Sequence, residues 1–307
     1  MWGRDRVGHF LSSQGDLYKF IHDQTLRLAN QGATPGEIAD RLQLPAPLRT
    51  EFSARGYYGT LKHNSRAVYQ FYFGWYDGNP AHLDPLPRAA AARRYVELAG
   101  GAEAMRLKAA AALDLGEYRW AAELLNHLVF FDPSDRQARE MLAGAYEQMG
   151  YQAESGTWRD SYLSGAKELR EGVTEGLSME KNMVGVLYHT GTGHFLDALA
   201  TRLDYDAAGS SHHQLLLEIL DDNQRFLVEI RNGVMRYRTV AEPEPSPESV
   251  PYLGLSRKLF IQLALRQVAL GDLVSGDNLR VEGSMVDLVA FFRLFEPSNG
   301  DFAIVEP

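Results

Sequence analysis

The sequence predicts a multidomain chain, an all-α helical part followed by an α+β part, and three observations carry that prediction. The chain has 307 residues, enough for about two domains. From Arg88 to about Glu171, alanine and leucine recur in helix after helix, whereas beyond about Thr174 short alternating runs bounded by turn residues take over. Hydrophobic residues make up 45% and charged residues 23%, so each part has the apolar material for its own core.

The elements follow in order. Between Asp16 and Asn30, Leu17, Phe20, Ile21, Leu26 and Leu28 recur close to the helical period, and Gly32 supplies a stop. Thr34, Pro35 and Glu37 form a capping signature for a short helix that ends by Pro45. Residues 55–64, RGYYGTLKHN, read as a loop with paired glycines and tyrosines. An aromatic-rich helix follows from Ser65 and closes at Asp77-Gly78-Asn79-Pro80.

Glycines at 100–101, 116 and 150 punctuate the next helices. Gly116 and Gly150 are 34 residues apart, the tetratricopeptide period, and Tyr118, Ala121, Pro133, Ala138 and Ala145 fit that pattern. A single such repeat buries no solenoid core alone, so a TPR-like block must pack on other helices or on a second subunit.

In the second part, Gln214–Leu220 and Gln224–Ile230 read as strands, with turns at 221–223 and at Arg231-Asn232-Gly233. Residues 241–249 form a Pro/Glu loop. Helical patterns return at Arg257–Leu270 and Met285–Phe295, with a short strand, LRVEG, between them. Phe195, Leu199, Phe260 and Phe291 belong to an apolar set that is either a plain core or the wall of a tunnel for an apolar ligand.

Composition excludes several functions. Without cysteine there is no disulfide or thiolate metal site. A formal net charge of −9 argues against a nucleic-acid partner. No run reaches the roughly 18 apolar residues of a membrane span. The opening MWGRDRVGHFLSSQGDLYKF carries two arginines with no apolar stretch behind them, so it is no secretory signal. The nine histidines are scattered; the adjacent His212 and His213 would lie on opposite faces of a strand, and no metal site is expected. The GTG of residues 191–193 reads as a turn, and neither a dinucleotide fingerprint nor a nucleophile elbow is present.

The candidate site centres on the aromatic helix. With Asn64 as its N-cap, Ser65 and Arg66 would occupy the first turn, where free amides and a guanidinium suit a tetrahedral anion. A surface ion pair is the alternative for Arg66. Tyr72 is six residues on and about 120° round the helix from Arg66, so sharing one small ligand would need long side chains or helix distortion. His63 fits an acid, a ligand or a loop anchor. Tyr57 and Tyr58, between Gly56 and Gly59, would line an apolar entrance or pack the loop.

Three stretches carry a family resemblance: DLYKFIHDQTLRLANQGATPGEIADRL; RGYYGTLKHNSRAVYQFYFGWYDGNPAHLDP with YRWAAELLNHLVFFDPSD and GYQAESGTWRDSYLSGAKELR; and FLDALATRL with VEIRNGVMRYR and LRVEGSMVDLVAFFRLFEP. They resemble the alkyl sulfatases of the metallo-β-lactamase fold, the last of them the sterol-carrier-like C-terminal domain. The resemblance implies a zinc-dependent hydrolase of long-chain alkyl sulfate esters, dimeric through its helical middle domain, with a third domain that gathers the apolar chain.

It divides this chain into a helical remnant (1–60), the dimerisation domain (61–173) and the sterol-carrier-like domain (174–307). It assigns catalysis to Arg66 and Tyr72 and substrate binding to Arg66, Asn64, His63 and Tyr58. Two zinc ions are expected upstream, on an HxHxDH motif absent here, and MWGRDRV resembles the turn just after the family's final histidine ligand. The expected partners are therefore a second copy, a long-chain alkyl sulfate or other apolar ligand, and a separately encoded metallo-β-lactamase domain, without which the chain would be inactive. The alternative is a non-catalytic dimerisation scaffold bearing a lipid-binding domain.

Overall fold

The first helix, α1 (Arg4–Ala29), starts twelve residues before the apolar run at Asp16 that announced it. Its early turns bury little, so hydrophobic periodicity could not mark them. Ile21, Thr25 and Leu28 form the buried stripe, and Gly32, at positive φ, ends the segment. In α2 (Pro35–Arg41) Thr34 and Glu37 form the expected capping box around Pro35. The short α3 (Ala46–Arg49) follows. Helix α4 (Leu61–Phe73) closes at Gly74, whose φ of 78° is cheap only for glycine. Leu28, Ala33, Ile38, Leu42 and Tyr69 form a small core that ties α1, α2 and α4 together.

The computed structural model describes residues 2–173, 185–241, 250–268, 279–297 and 301–307. The chain divides into two compact units, Met1–Thr174 with the tail Ala303–Pro307, and Glu175–Phe302. No helix among the described residues is long and apolar enough to cross a membrane.

The rest of the first unit is α5 (Arg88–Leu98), α6 (Ala102–Asp114), α7 (Tyr118–Phe131), α8 (Arg136–Gln152) and α9 (Gly156–Glu171). Alanines let these helices approach closely: Ala109, Ala121, Ala138, Ala143 and Ala145 are fully buried beside Leu125, Leu128 and Leu142. Gly116 ends a helix as expected, at φ 73°. Gly150 does not. It lies inside α8, where an added Cβ would stand 3.1 Å from Leu163 of α9, so it serves close packing rather than a turn. The tail folds back on this unit: Glu168 accepts from the amides of Ile304 (2.7 Å) and Val305 (2.9 Å), and Glu306 pairs with Arg139.

The second unit holds a mixed five-stranded sheet, β1 (His213–Ile219), β2 (Gln224–Arg231), β3 (Val234–Thr239), β4 (Tyr252–Leu255) and β5 (Leu279–Glu282), in the order β3-β2-β1-β4-β5. All pairs are antiparallel except β1 with β4. Asn232 and Gly233 both take positive φ, as the tight β2–β3 turn requires. Helices α10 (Thr192–Ala200), α11 (Tyr205–Ala208), α12 (Arg257–Ala264) and α13 (Met285–Arg293) belong to the same unit.

Strand β4 was not read from the sequence; four residues with a glycine give too short a signal. The GTG turn is a correction too: Gly191 is the N-cap, and Thr192 and Gly193 lie in α10. Helix α12 ends at Ala264, while 269–278 and most of the 241–249 loop lie outside the described residues. Phe195, Leu199, Phe260 and Phe291 are buried with Leu215, Leu217 and Ile219 of β1 in one core. On the opposite sheet face, Glu218 accepts from Tyr252 Oη (2.7 Å) and Arg225 Nε (2.9 Å).

Candidate functional site

The start of α4 is set by Thr60, not Asn64. Thr60 Oγ1 accepts from the His63 amide at 2.9 Å, so Leu61, Lys62 and His63 form the first turn. Asn64 therefore sits inside the helix, and Arg66 is in the second turn, away from the free amides. The anion-binding helix end anticipated at Arg66 is not there. A Thr three residues before His63 was the better capping signal.

Asn64 instead packs under the preceding loop. A Cβ at Gly59 would lie 2.7 Å from Asn64 Oδ1, so any larger residue there would push the Asn64 side chain aside. The loop is pinned from its other side by α9. Ser155, the N-cap of α9, and Thr157 both donate to the Tyr58 carbonyl, at 2.5 and 2.7 Å, and the Gly156 amide donates to the Tyr57 carbonyl at 2.8 Å. Arg55 pairs with Glu154 and lies over the Tyr57 ring, 5.0 Å from its centroid.

Beneath this loop lies a cavity of about 1100 Å³. Leu17, Ile21, Leu42, Leu44 and Val68 give it apolar walls, and Tyr58, Asn64, Lys62 and Trp158 line it as well. His63 joins this group through Trp158, whose indole Nε1 donates to His63 Nδ1 at 3.3 Å.

Arg66 and Tyr72 are placed elsewhere on α4, and neither lines the cavity. Arg66 is exposed. Its charge helps hold the Asp40 carboxyl below the usual carboxylate range, behind the larger effects of Lys62, hydrogen-bonded at 2.5 Å, and of Arg119 at 3.7 Å. Three cations thus surround one carboxylate, a locally positive patch. Tyr72 Oη lies 2.9 Å from His22 Nε2, and His22 Nδ1 lies 2.8 Å from Asp23. Lys19 and then His22 hold Asp23 below its ordinary value. The described structure thus joins Tyr58, Asn64 and His63 around one loop and leaves Tyr72 with α1, about 9 Å along the helix from Arg66.

The histidines do not fit a zinc pair. Among the described residues no group of three or more His, Asp or Glu side chains is arranged to hold a metal ion. His63 Nδ1 faces a donor, and His22 is held between Asp23 and Tyr72. His212 bonds Glu229 at 2.7 Å, while His213 bonds Ser211 at 3.0 Å. Trp158 and His22 were missed from sequence because their contacts span 95 and 50 residues.

The helical unit and the mixed sheet define a class on comparison with known proteins. Residues 34–172 match the model of the alkyl sulfatase dimerisation family and residues 181–307 that of the alkyl sulfatase C-terminal family, and the chain belongs to the alkyl sulfatase family through these two domains.

Particular relatives follow from there. The chain is 41% identical over 309 residues to the alkyl/aryl-sulfatase BDS1 of Saccharomyces cerevisiae, covering 99% of this chain and 46% of that protein. It is 40% identical to a linear primary-alkylsulfatase of Pseudomonas sp., with 100% and 45% covered. Among solved structures, the stereoselective inverting sec-alkylsulfatase Pisa1 from Pseudomonas sp. superposes with a TM-score of 0.92 at 40% identity, covering all of this chain and 48% of that one. The chain spans about half the length of the curated relatives it matches.

Proposed function

We propose that this chain supplies the substrate-gripping and dimerising half of an alkyl sulfatase that hydrolyses sulfate esters of long-chain alcohols. The observation that carries this reading is the apolar cavity of about 1100 Å³ with His63, Asn64 and Tyr58 gathered at one loop beside it. An alkyl chain gains roughly 0.8 kcal/mol for each buried methylene, and the polar group must then end where donors are held. Asn64, His63 and Tyr58 take the ester end of the substrate. Arg66, on the positive patch around Asp40, holds charge on the sulfate, for which a planar guanidinium has matching forked donors. Tyr72 is the second catalytic group, with His22 holding its hydroxyl.

The paired zinc ions of the reaction are assigned to a domain outside this chain, since its described residues do not fit them. The helices from α5 to α9 act as a TPR-like platform for a homodimer. Support comes from the dimerisation family that matches them and from large exposed apolar side chains on α5, α6 and α7, among them Tyr95, Leu98, Leu107 and Trp120. The second unit is read as a sterol-carrier-like domain that collects the apolar chain, which the aromatic core under its five-stranded sheet supports.

A calorimetric titration with alkyl sulfates of increasing length tests the cavity. Affinity should rise steadily from butyl to octyl sulfate below the micelle concentration, and an affinity indifferent to chain length would remove the cavity from the substrate path.

A further inference from the structure

His63 and Trp158 meet in an unusual way. Each is the third residue of a capped helix: Thr60 caps α4 and accepts from the His63 amide, while Ser155 caps α9 and accepts from the Trp158 amide. The two helix starts face one another across the Tyr57–Tyr58 loop, which α9 grips by two backbone carbonyls. Trp158 is further braced edge-on by Tyr162, at 6.4 Å between ring centroids. The His63 and Trp158 rings stand 69° apart at 6.4 Å, an edge approach that brings indole Nε1 to His63 Nδ1.

An indole nitrogen can only donate, so the bond forms only when Nδ1 carries a lone pair. A neutral His63 then has its proton on Nε2, the nitrogen turned away from Trp158. We propose that Trp158 is a positioning residue for His63, fixing it as a neutral Nε2–H donor toward the bound sulfate ester. This rests on the reading of His63 as a substrate-binding group.

The charged groups on the elements around His63 are Lys62 and Arg66 on α4, Arg55 paired with Glu154 beside the loop, and Arg159 and Asp160 on α9. None of them changes when Trp158 is replaced, so a Trp158→Phe variant isolates the one hydrogen bond. The bond is available only to the tautomer with its proton on Nε2, so its loss frees the proton to move to Nδ1.

Nitrogen-15 NMR of the purified chain reads the tautomer, with His63 assigned by the signal that His63→Gln removes. In the wild type the neutral ring should carry its proton on Nε2, and Nδ1 should show the shift of a hydrogen-bond acceptor. In Trp158→Phe that acceptor shift should be lost and the two tautomers should mix, while the His22 signals stay unchanged as a control on folding. A proton on Nδ1 in the wild type would overturn the proposal without any variant, and unchanged Nδ1 and Nε2 shifts in a folded Trp158→Phe chain would reduce Trp158 to packing. Adding octyl sulfate should shift the His63 Nε2–H signal. If the tautomer holds but that signal ignores the ligand, the placement of His63 in the substrate site fails, and the donor role with it.

Discussion

Thr60 decides where α4 begins, and through that choice it decides what every following side chain can reach. With the cap at Thr60, His63 is in the first turn and Arg66 in the second. Replacing Thr60 by alanine leaves the His63 amide without its acceptor, and the expected loss is about 1 kcal/mol in urea unfolding followed by circular dichroism. No change in midpoint would mean the cap contributes nothing. At this scale the sequence was partly legible. The identities of Tyr58, His63 and Asn64 as a group could be read from RGYYGTLKHN. Their placement could not, because both Thr60 and Asn64 are good capping residues; the cap formed is Thr60, with Asn64 packed against Gly59. Trp158 carried no local signal at all, since its partner lies 95 residues away.

Elements with strong local punctuation were read well. The Thr34 capping box and the Asn232-Gly233 turn are stated by adjacent residues, and both form as expected. Those defined by partners were not. Strand β4 exists because β1 and β5 flank it, and the early turns of α1 hold few buried side chains. The outer face of the sheet carries a testable electrostatic link between β1, β2 and β4. Burial raises the Glu218 carboxyl, but hydrogen bonds from Tyr252 and Arg225 outweigh it and leave Glu218 below its ordinary value. Burial and then the bond to Glu218 push the Tyr252 hydroxyl up to about 12, so it stays a donor throughout the neutral range.

A carboxyl depressed in the folded state stabilises that state above its unfolded value and loses this contribution as pH falls through the folded one. Stability of the chain should therefore drop as pH falls below the ordinary glutamate value of 4.5, and Tyr252→Phe should flatten part of that drop. An unchanged acid slope in urea titrations of the variant would show that Tyr252 does not hold the carboxylate.

For the whole molecule, the division into a helical part and an α+β part was visible in the change of texture near Thr174, because helical and strand periods differ so plainly. The family was visible too, through long motifs in their expected order, and the matches over 34–172 and 181–307 establish it. What a sequence cannot display is which surfaces are shared. The exposed Tyr95, Leu98 and Trp120 acquire meaning only if a second copy covers them, and sedimentation of the purified chain should show a dimer, with a monomer at micromolar concentration refuting that platform.

The division of labour in the proposed enzyme places the grip on sulfate in this chain, at Arg66. Calorimetric titration of octyl sulfate into the wild type and into Arg66→Ala is the direct test. Removing a charge-assisted contact worth about 1.5–3 kcal/mol should weaken binding roughly 10- to 150-fold while leaving octanol binding unchanged. Equal affinity of the two proteins for octyl sulfate would contradict it.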